Sequence, residues 1–325
     1  MTSRTETSQR SPSTARSLCV HRLERVAPQV LSVELRDPDG KPLPPGEPGA
    51  HIDVHLPDGA VRSYSLCGDP EDRHAYRIAV LNVPGGRGSR FVHGDLALGT
   101  TVSVGPPRNN FRFDAARRYL FIAGGIGITP LLPMIRKAAD QEAEWTLHYC
   151  VRSAAEAPFL DELRRVGNGD VVVHAADEGR RLAVDALLAA TPSDVLIYCC
   201  GPQRLMDAVA AAALPTHDVR FEWFAPRSNG VSEAAPDGGF EVVCARSGVT
   251  VTVKAGVSVL EALDAAGVPI ASSCEQGICG TCETAVLEGE PDHRDSVLSD
   301  AERAAGKTMM VCVSRARSAR LVLDV

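Results

Sequence analysis

Four cysteines near the C-terminus place the strongest constraint on what this chain can fold into. Cys274, Cys279 and Cys282 are separated by four and then two residues, and Cys312 follows much further along the chain. This C-x4-C-x2-C…C spacing is the plant-type pattern for binding a [2Fe–2S] cluster. Two glycines in the loop allow close backbone approach, so that N–H groups can point at the sulfurs. The motif therefore predicts an iron–sulfur domain with these four cysteines as ligands.

A structural zinc site is the alternative interpretation, because zinc also binds four cysteines. Zinc sites usually combine two short C-x2–4-C pairs, and this motif contains one. The spacing therefore favours the iron–sulfur cluster. The rival hypothesis is a zinc- and nucleotide-binding protein without redox activity.

Length and charge narrow the class of protein. At 325 residues the chain is too long for one ordinary core, so several domains are expected. A net charge of −7 argues against a nucleic-acid partner. Residues 1–17 lack the apolar region of a signal peptide and are expected to form a disordered tail. With no apolar run long enough to span a bilayer, we expect a cytoplasmic monomer without a membrane partner, whose ten cysteines are reduced thiols or cluster ligands.

Residues 18–113 contain short β-branched runs separated by Gly and Pro, which predict a small antiparallel barrel. One predicted strand carries Arg62, Ser63, Tyr64 and Ser65 in succession. Alternation along a strand would send Arg62 and Tyr64 to one face and the two serines to the other. This set offers a cation, an aromatic ring and hydroxyl groups to a ligand.

A glycine-rich turn follows a later strand of the same region. It contains Gly86, Arg87, Gly88 and Ser89 and leads into a predicted helix over residues 89–96. Such a turn presents free backbone N–H groups to an anion. A flexible hairpin loop is the alternative interpretation.

From about Asp114, apolar strand patterns alternate with helix patterns, which predicts a parallel sheet with right-handed crossovers. We expect Thr129 to be the N-cap of the first helix and Pro130 its first helical residue. Ligands bind such sheets at the carboxyl ends of the strands. The segments expected there are Gly124-Gly125-Ile126-Gly127, Arg152-Ser153 and Cys200-Gly201-Pro202.

Residues 228–238 are rich in Gly, Pro, Ser and Ala and predict a linker. Beyond it we expect a hairpin over residues 240–254, a helix over 259–266 capped by Ser258, the cysteine loop, and two closing strands.

Taken in order, these motifs resemble the phthalate dioxygenase reductase family, the one-chain reductases of Rieske oxygenases, which include proteins similar to vanillate demethylase reductases. The resemblance implies a multidomain chain: an antiparallel β-barrel flavin domain (18–113), an α/β parallel-sheet NAD-binding domain (114–227) and a C-terminal β-grasp plant-type ferredoxin domain (239–325). It also implies FMN rather than FAD, NADH as electron donor, and a terminal oxygenase of aromatic degradation as partner. A cytochrome P450 is the alternative partner.

The resemblance also implies roles for individual residues. Ser65, Cys200 and Phe224 are expected to take part in hydride transfer. The residues expected at the flavin are Arg62, Ser63, Tyr64, Ser65, Val80, Gly86, Arg87, Gly88, Ser89 and Phe224. The residues expected at the nicotinamide nucleotide are Gly124, Gly125, Gly127, Thr129, Arg152, Ser153, Cys200, Gly201 and Pro202.

Overall fold

The computed structural model describes residues 15–225 and 239–325. The predicted linker 228–238 and most of the predicted tail lie outside these residues. The first strand begins at Arg16, so the last two residues assigned to the tail belong to a strand. Within the described residues, no helix has the length and apolar character needed to cross a bilayer.

The first sheet has six antiparallel strands that curl into the predicted barrel. Its strands are β1 (Arg16–Ala27), β2 (Val30–Arg36), β3 (His51–His55), β4 (Val61–Ser65), β5 (Ala75–Leu81) and β6 (Thr101–Val104). Their order is β4-β3-β6-β1-β2-β5, and the two terminal strands β4 and β5 contact each other. Branched apolar residues such as Val33 and Ile52 fill the interior. Between β5 and β6 lie the short helix α1 (Arg87–Arg90) and a π-helical turn (Phe91–Asp95), so helical structure begins before residue 89.

The second sheet is the predicted parallel sheet. Its strands are β7 (Arg118–Gly124), β8 (Glu144–Val151), β9 (Gly169–Ala175), β10 (Leu196–Cys200) and β11 (Asp218–Glu222), in the order β11-β10-β7-β8-β9. Its helices are α2 (Ile128–Asp140), α3 (Leu160–Leu163), α4 (Val184–Ala190) and α5 (Gln203–Ala212). On one face, an apolar core runs continuously from barrel residues such as Val30 to Phe121 and Leu131. The barrel and the parallel sheet therefore share a core.

The predicted cap of α2 is wrong. Gly127 occupies the N-cap position, after a 3-10 turn over Gly125–Gly127. Thr129 lies inside the first helical turn, where its hydroxyl donates a hydrogen bond to the carbonyl of Ile126 at 2.9 Å. Because the tight turn already directs the chain into the helix, no side-chain cap is needed there. Pro130 is tolerated in the first turn, where its missing N–H has no partner to lose.

The third unit has a sheet and a core of its own, as predicted for a β-grasp ferredoxin domain. Its strands are β12 (Phe240–Cys244), β13 (Thr250–Val253), β14 (Glu283–Glu288), β15 (Pro291–Asp292), β16 (Thr308–Met310), β17 (Arg315–Ala316) and β18 (Arg320–Leu323), and its helices are α6 (Val259–Ala265) and α7 (Asp300–Ala305). The main sheet runs β13-β12-β18-β14-β16, with β12 and β18 parallel. Ser258 caps α6 as predicted, in a capping box with Glu261. Val242, Leu263 and Leu321 belong to the separate core.

Candidate active site and metal centre

A cavity of about 500 Å³ lies where the three units meet. The barrel contributes β4 and the turn over residues 85–89. Ile126 and Thr129 border it from the parallel-sheet domain, and Ile278 and Cys279 border it from the cysteine loop. Its volume lies in the range of small-molecule sites, roughly 300–1,000 Å³. One cavity is therefore in contact with all three units.

All ten residues predicted to bind a flavin line this cavity. They are Arg62, Ser63, Tyr64, Ser65, Val80, Gly86, Arg87, Gly88, Ser89 and Phe224, and Thr129 joins them. All four residues of β4 line the cavity, and their side chains separate as predicted: Arg62 and Tyr64 both lie against Gly88. The hydroxyls of Ser63 and Ser65 donate instead to Asp53 and Glu222. β4 is a terminal strand of its sheet, so side chains from both of its faces can reach a cavity at that edge.

The glycine-rich turn packs directly on strand β4. A Cβ atom added to Gly88 would lie 2.5 Å from the Tyr64 hydroxyl and 2.9 Å from Arg62 Cγ. The Ser89 hydroxyl donates to the carbonyl of Val83 at 3.0 Å and holds the turn in place. The two stretches that carried the flavin prediction therefore form one wall, and the close approach requires glycine.

The two turns predicted to bind the nicotinamide nucleotide also touch each other. A Cβ atom on Gly127 would lie 2.3 Å from the carbonyl oxygen of Cys200, and one on Gly124 would lie 2.4 Å from Pro202 Cδ. The Cys200 side chain is fully buried, and burial, with Glu222 and Cys199 nearby, raises the pKa of its thiol. The predicted residues that do not line the cavity are Gly124, Gly125, Gly127, Arg152, Ser153, Cys200, Gly201 and Pro202. They lie at the carboxyl ends of β7, β8 and β10.

Sequence reasoning missed Glu222, the last residue of β11. It pairs in register with Cys200 and borders the cavity, where the Ser65 hydroxyl lies 3.5 Å from Oε2. Burial raises the pKa of the Glu222 carboxyl to about 8. The available signal was its position: an acidic residue at the carboxyl end of a parallel strand lies at the ligand edge of the sheet.

His51 was missed as well, and it borders the cavity from β3. Burial and the charge of Arg108 lower the pKa of its imidazole to about 4. At neutral pH both His51 and Glu222 are therefore uncharged.

The four motif cysteines come together as two pairs. Cys274 lies beside Cys279, and Cys282 lies beside Cys312, each pair close enough for one thiol to shift the pKa of the other. Among the described residues, no group of three or more His, Cys, Asp or Glu side chains is arranged so that it could hold a single metal ion. Two pairs suit a [2Fe–2S] cluster, in which each iron takes two protein ligands. A single tetrahedral zinc ion would need all four thiolates around one point.

Backbone N–H groups point at the sulfurs, as the two loop glycines predicted. Gln276 and Ile278 donate to the Cys274 sulfur, and Gly277 donates to that of Cys312. Within each pair the two thiols share one proton, so the pKa of Cys279 and of Cys282 is lowered while that of Cys274 and of Cys312 is raised. The thiolate is the form that binds metal, and N–H groups directed at the sulfurs stabilise it, so the residues present fit the cluster.

Two family models match the chain. Residues 242–317 match the 2Fe-2S iron-sulfur cluster binding domain, and residues 121–211 match the oxidoreductase NAD-binding domain. The phenoxybenzoate dioxygenase subunit beta of Ectopseudomonas oleovorans is 47% identical over 315 residues, which are 95% of this chain and 97% of that protein. The match to the iron–sulfur domain supports the cluster against the zinc alternative.

Two solved structures are similar over nearly the whole chain. A phthalate dioxygenase reductase, described as a modular structure for electron transfer from pyridine nucleotides to [2Fe-2S], is 39% identical with a TM-score of 0.67, covering 96% of this chain and 98% of that one. An intact type IV self-sufficient cytochrome P450 monooxygenase is 42% identical with a TM-score of 0.88. That match covers 98% of this chain and 43% of the monooxygenase, so this chain spans less than half of that protein.

We predict that Cys279→Ala abolishes the iron–sulfur EPR signal of the reduced protein, because one iron loses one of its two thiolates. Cys244→Ala is the matched control, since Cys244 is buried in the core of the same domain on β12. The control should retain the signal. An unchanged signal in Cys279→Ala would contradict the ligand assignment.

A second prediction concerns the pH dependence of stability in flavin-free protein. The folded-state pKa of Glu222, about 8, lies above its ordinary value of 4.5. The contribution of Glu222 to the free energy of unfolding is therefore complete below pH 4.5 and is lost as pH rises to about 8. The reason is that the unfolded chain releases this proton at a lower pH than the folded chain does. Glu222→Gln should flatten the fall in melting temperature between pH 5 and pH 8.

Glu142→Gln, which changes an exposed carboxyl, serves as the control and should follow the wild-type curve. Identical pH profiles for Glu222→Gln and wild type would show that Glu222 ionises normally.

Proposed function

The chain belongs to the phthalate dioxygenase reductase family, and from this premise we propose that it carries electrons from NADH through FMN and the [2Fe–2S] cluster to a Rieske-type terminal oxygenase or demethylase. It is an oxidoreductase with an NAD-binding domain and an iron–sulfur domain. One observation carries the proposal: a single cavity is bordered by two of the units. The turn over residues 124–129, called the nicotinamide turn below, borders it through Ile126 and Thr129, and the cysteine loop borders it through the cluster ligand Cys279.

When bound in this cavity, the flavin would supply the conversion between two-electron hydride chemistry and one-electron transfer. The chain itself supplies orientation and electrostatics. Tyr64 and the glycine-rich turn form the wall for the ring and phosphate, and Phe224 lies at the opening, with 39% of its surface exposed. Ser65 offers a hydroxyl at the cavity, and Glu222 holds its proton at neutral pH. Cys200 supports the nicotinamide turn through its carbonyl contact with Gly127.

The proposal of FMN over FAD follows from the family resemblance and from the phosphate end of the cavity. Arg62 and Arg87 lie there beside the tight turn over residues 85–89. Two guanidinium groups and a row of backbone N–H groups suit a single terminal phosphate.

NADH is proposed as the donor. The carboxyl end of β8 offers one cation, Arg152, next to Ser153. Since a single Arg can accommodate the 2′-phosphate of NADPH, the choice of NADH rests on the family resemblance.

A cytochrome P450 is the second candidate for the partner. The observation in its favour is the similarity to the self-sufficient monooxygenase, in which a P450 belongs to the same chain as the matching region. A Rieske-type partner is preferred, because the relative named as a dioxygenase subunit matches over its full length. Reconstitution with purified candidates of both classes, followed by NADH-dependent product formation, decides between them.

The main test removes the iron–sulfur domain. A chain ending at Gly230 keeps the barrel and parallel sheet with their shared core, and loses a domain with its own core. NADH-dependent reduction of ferricyanide should remain close to the full-length rate, while cytochrome c reduction should nearly vanish. NADPH should give a lower kcat/KM than NADH in both proteins. Full partner activity of the shortened chain would contradict the proposed electron route.

Arg62→Ala should weaken flavin binding about ten- to a hundredfold, because a charge-assisted contact with phosphate contributes about 1.5–3 kcal/mol. The dissociation constant can be measured by fluorescence titration of flavin-free protein. Arg117→Ala removes an exposed arginine away from the cavity and should leave the affinity unchanged. Full flavin retention in Arg62→Ala would place Arg62 away from the phosphate.

A further inference from the structure

Two hydrogen bonds join the cysteine loop to the barrel, one on each side of Cys274. The Ser273 hydroxyl donates to Asp53 Oδ2 on β3 at 2.5 Å. The Asn110 side-chain amide donates to the carbonyl oxygen of Cys279 at 2.8 Å. The first bond involves the residue next to Cys274, and the second involves a cluster ligand itself. Both therefore act on the segment that carries Cys279 to the cavity wall.

Asp53 is held ready to accept the bond from Ser273. Its side chain is buried, with 5% of the residue exposed, and Arg108 Nη2 lies 2.8 Å from the same carboxylate. The Ser63 hydroxyl donates to Oδ1 at 2.7 Å. With the carboxylate fixed on two sides, the hydroxyl of Ser273 meets an oriented, charged acceptor. Hydrogen bonds to charged groups are stronger than neutral ones.

Asn110 is also placed by its surroundings. The neighbouring Asn109 side chain donates to the carbonyl of Pro48 and accepts from the N–H of Phe111, both at 3.0 Å. On the other side of the contact, Gly280 has φ +72°, and a Cβ atom there would lie 2.8 Å from Asn110 Nδ2. The loop thus approaches Asn110 as closely as a glycine permits.

We propose that Asp53 and Asn110 form a docking site on the barrel for the cysteine loop over residues 272–282. The docking site holds Cys279 against the cavity, so that Asp53, Asn110 and Ser273 are positioning residues for electron transfer to the cluster. This inference rests on the proposed function, because it assigns the route between the flavin cavity and the iron–sulfur domain.

The contact is polar, whereas the barrel and the parallel sheet share an apolar core. Polar contacts between domains resemble those of transient protein complexes. Docking of the loop is therefore an equilibrium that single hydrogen bonds can shift.

The test compares Ser273→Ala with its neighbour Ser272→Ala in full-length protein containing flavin and cluster. The Ser272 hydroxyl donates to Glu275 Oε1 within the loop and makes no bond to Asp53, so this variant is a matched control. Loss of the Ser273 bond should reduce the ratio of docked to undocked loop about ten- to a hundredfold. Ser273→Thr keeps a hydroxyl and should restore docking.

The first readout is amide hydrogen exchange, which reports local opening without any turnover. Exchange over residues 272–282 and over β3 should rise in Ser273→Ala and stay at the wild-type level in Ser272→Ala. The second readout is stopped-flow reduction of the cluster by NADH, which should slow in Ser273→Ala while NADH-dependent ferricyanide reduction is unchanged.

Asn110→Ala provides a second variant on the barrel side, away in sequence from the ligands, and should reproduce both effects. Substitution of Asp53 is avoided, because it would leave the half-buried charge of Arg108 without this partner. If Ser273→Ala and Asn110→Ala both match Ser272→Ala in exchange and in cluster reduction, the docking site is overturned. Failure of the proposed function would look different: wild-type protein would lack the EPR signal or NADH-dependent ferricyanide reduction.

Discussion

Close backbone approach at two glycines is the constraint on which the site depends. Gly88 brings the glycine-rich turn onto Tyr64 and Arg62, and Gly127 brings the nicotinamide turn onto the carbonyl of Cys200. At neither position is there space for a Cβ atom without a shift of neighbouring atoms. The first contact shapes the wall of the cavity, and the second places the other turn beside it. The close approach of two glycines therefore brings the predicted flavin and nicotinamide sites together.

The sequence predicts those parts of the protein that depend on local backbone chemistry. The cysteine spacing, the glycine turns and the alternation of strands and helices each reflect contacts between residues near in sequence, and the three units they indicated are present. Thr129 shows the limit of local rules: a 3-10 turn brings the chain into the helix before the expected cap. Glu222, His51 and Asp53 become important only through neighbours more than fifty residues away, or on another sheet, which no local pattern reveals.

Two carboxyl groups near the cavity have pKa values shifted in opposite directions. Burial raises the pKa of Glu222, and Ser65 opposes this effect only in part. Burial acts in the same direction on Asp53, but Arg108 and the hydroxyls of Ser273 and Ser63 outweigh it and lower the pKa. Glu222 is therefore uncharged at neutral pH, and it does not repel a negatively charged ligand near the nicotinamide turn. The negative charge of Asp53 is neutralised by Arg108 at the side facing the cluster loop.

The contact of the barrel with the parallel-sheet domain and its contact with the iron–sulfur domain differ in strength for a physical reason. The barrel and the parallel sheet are joined by a continuous apolar core, so their relative position is fixed by the same burial that stabilises each of them. The iron–sulfur domain buries its own core and meets the barrel through hydrogen bonds at Asp53 and Asn110. Hydride transfer demands a fixed geometry over a few ångströms, which a shared core provides. Single-electron transfer to a protein partner requires the cluster domain to serve two neighbours, and a polar contact of a few hydrogen bonds can form and break without unfolding either domain.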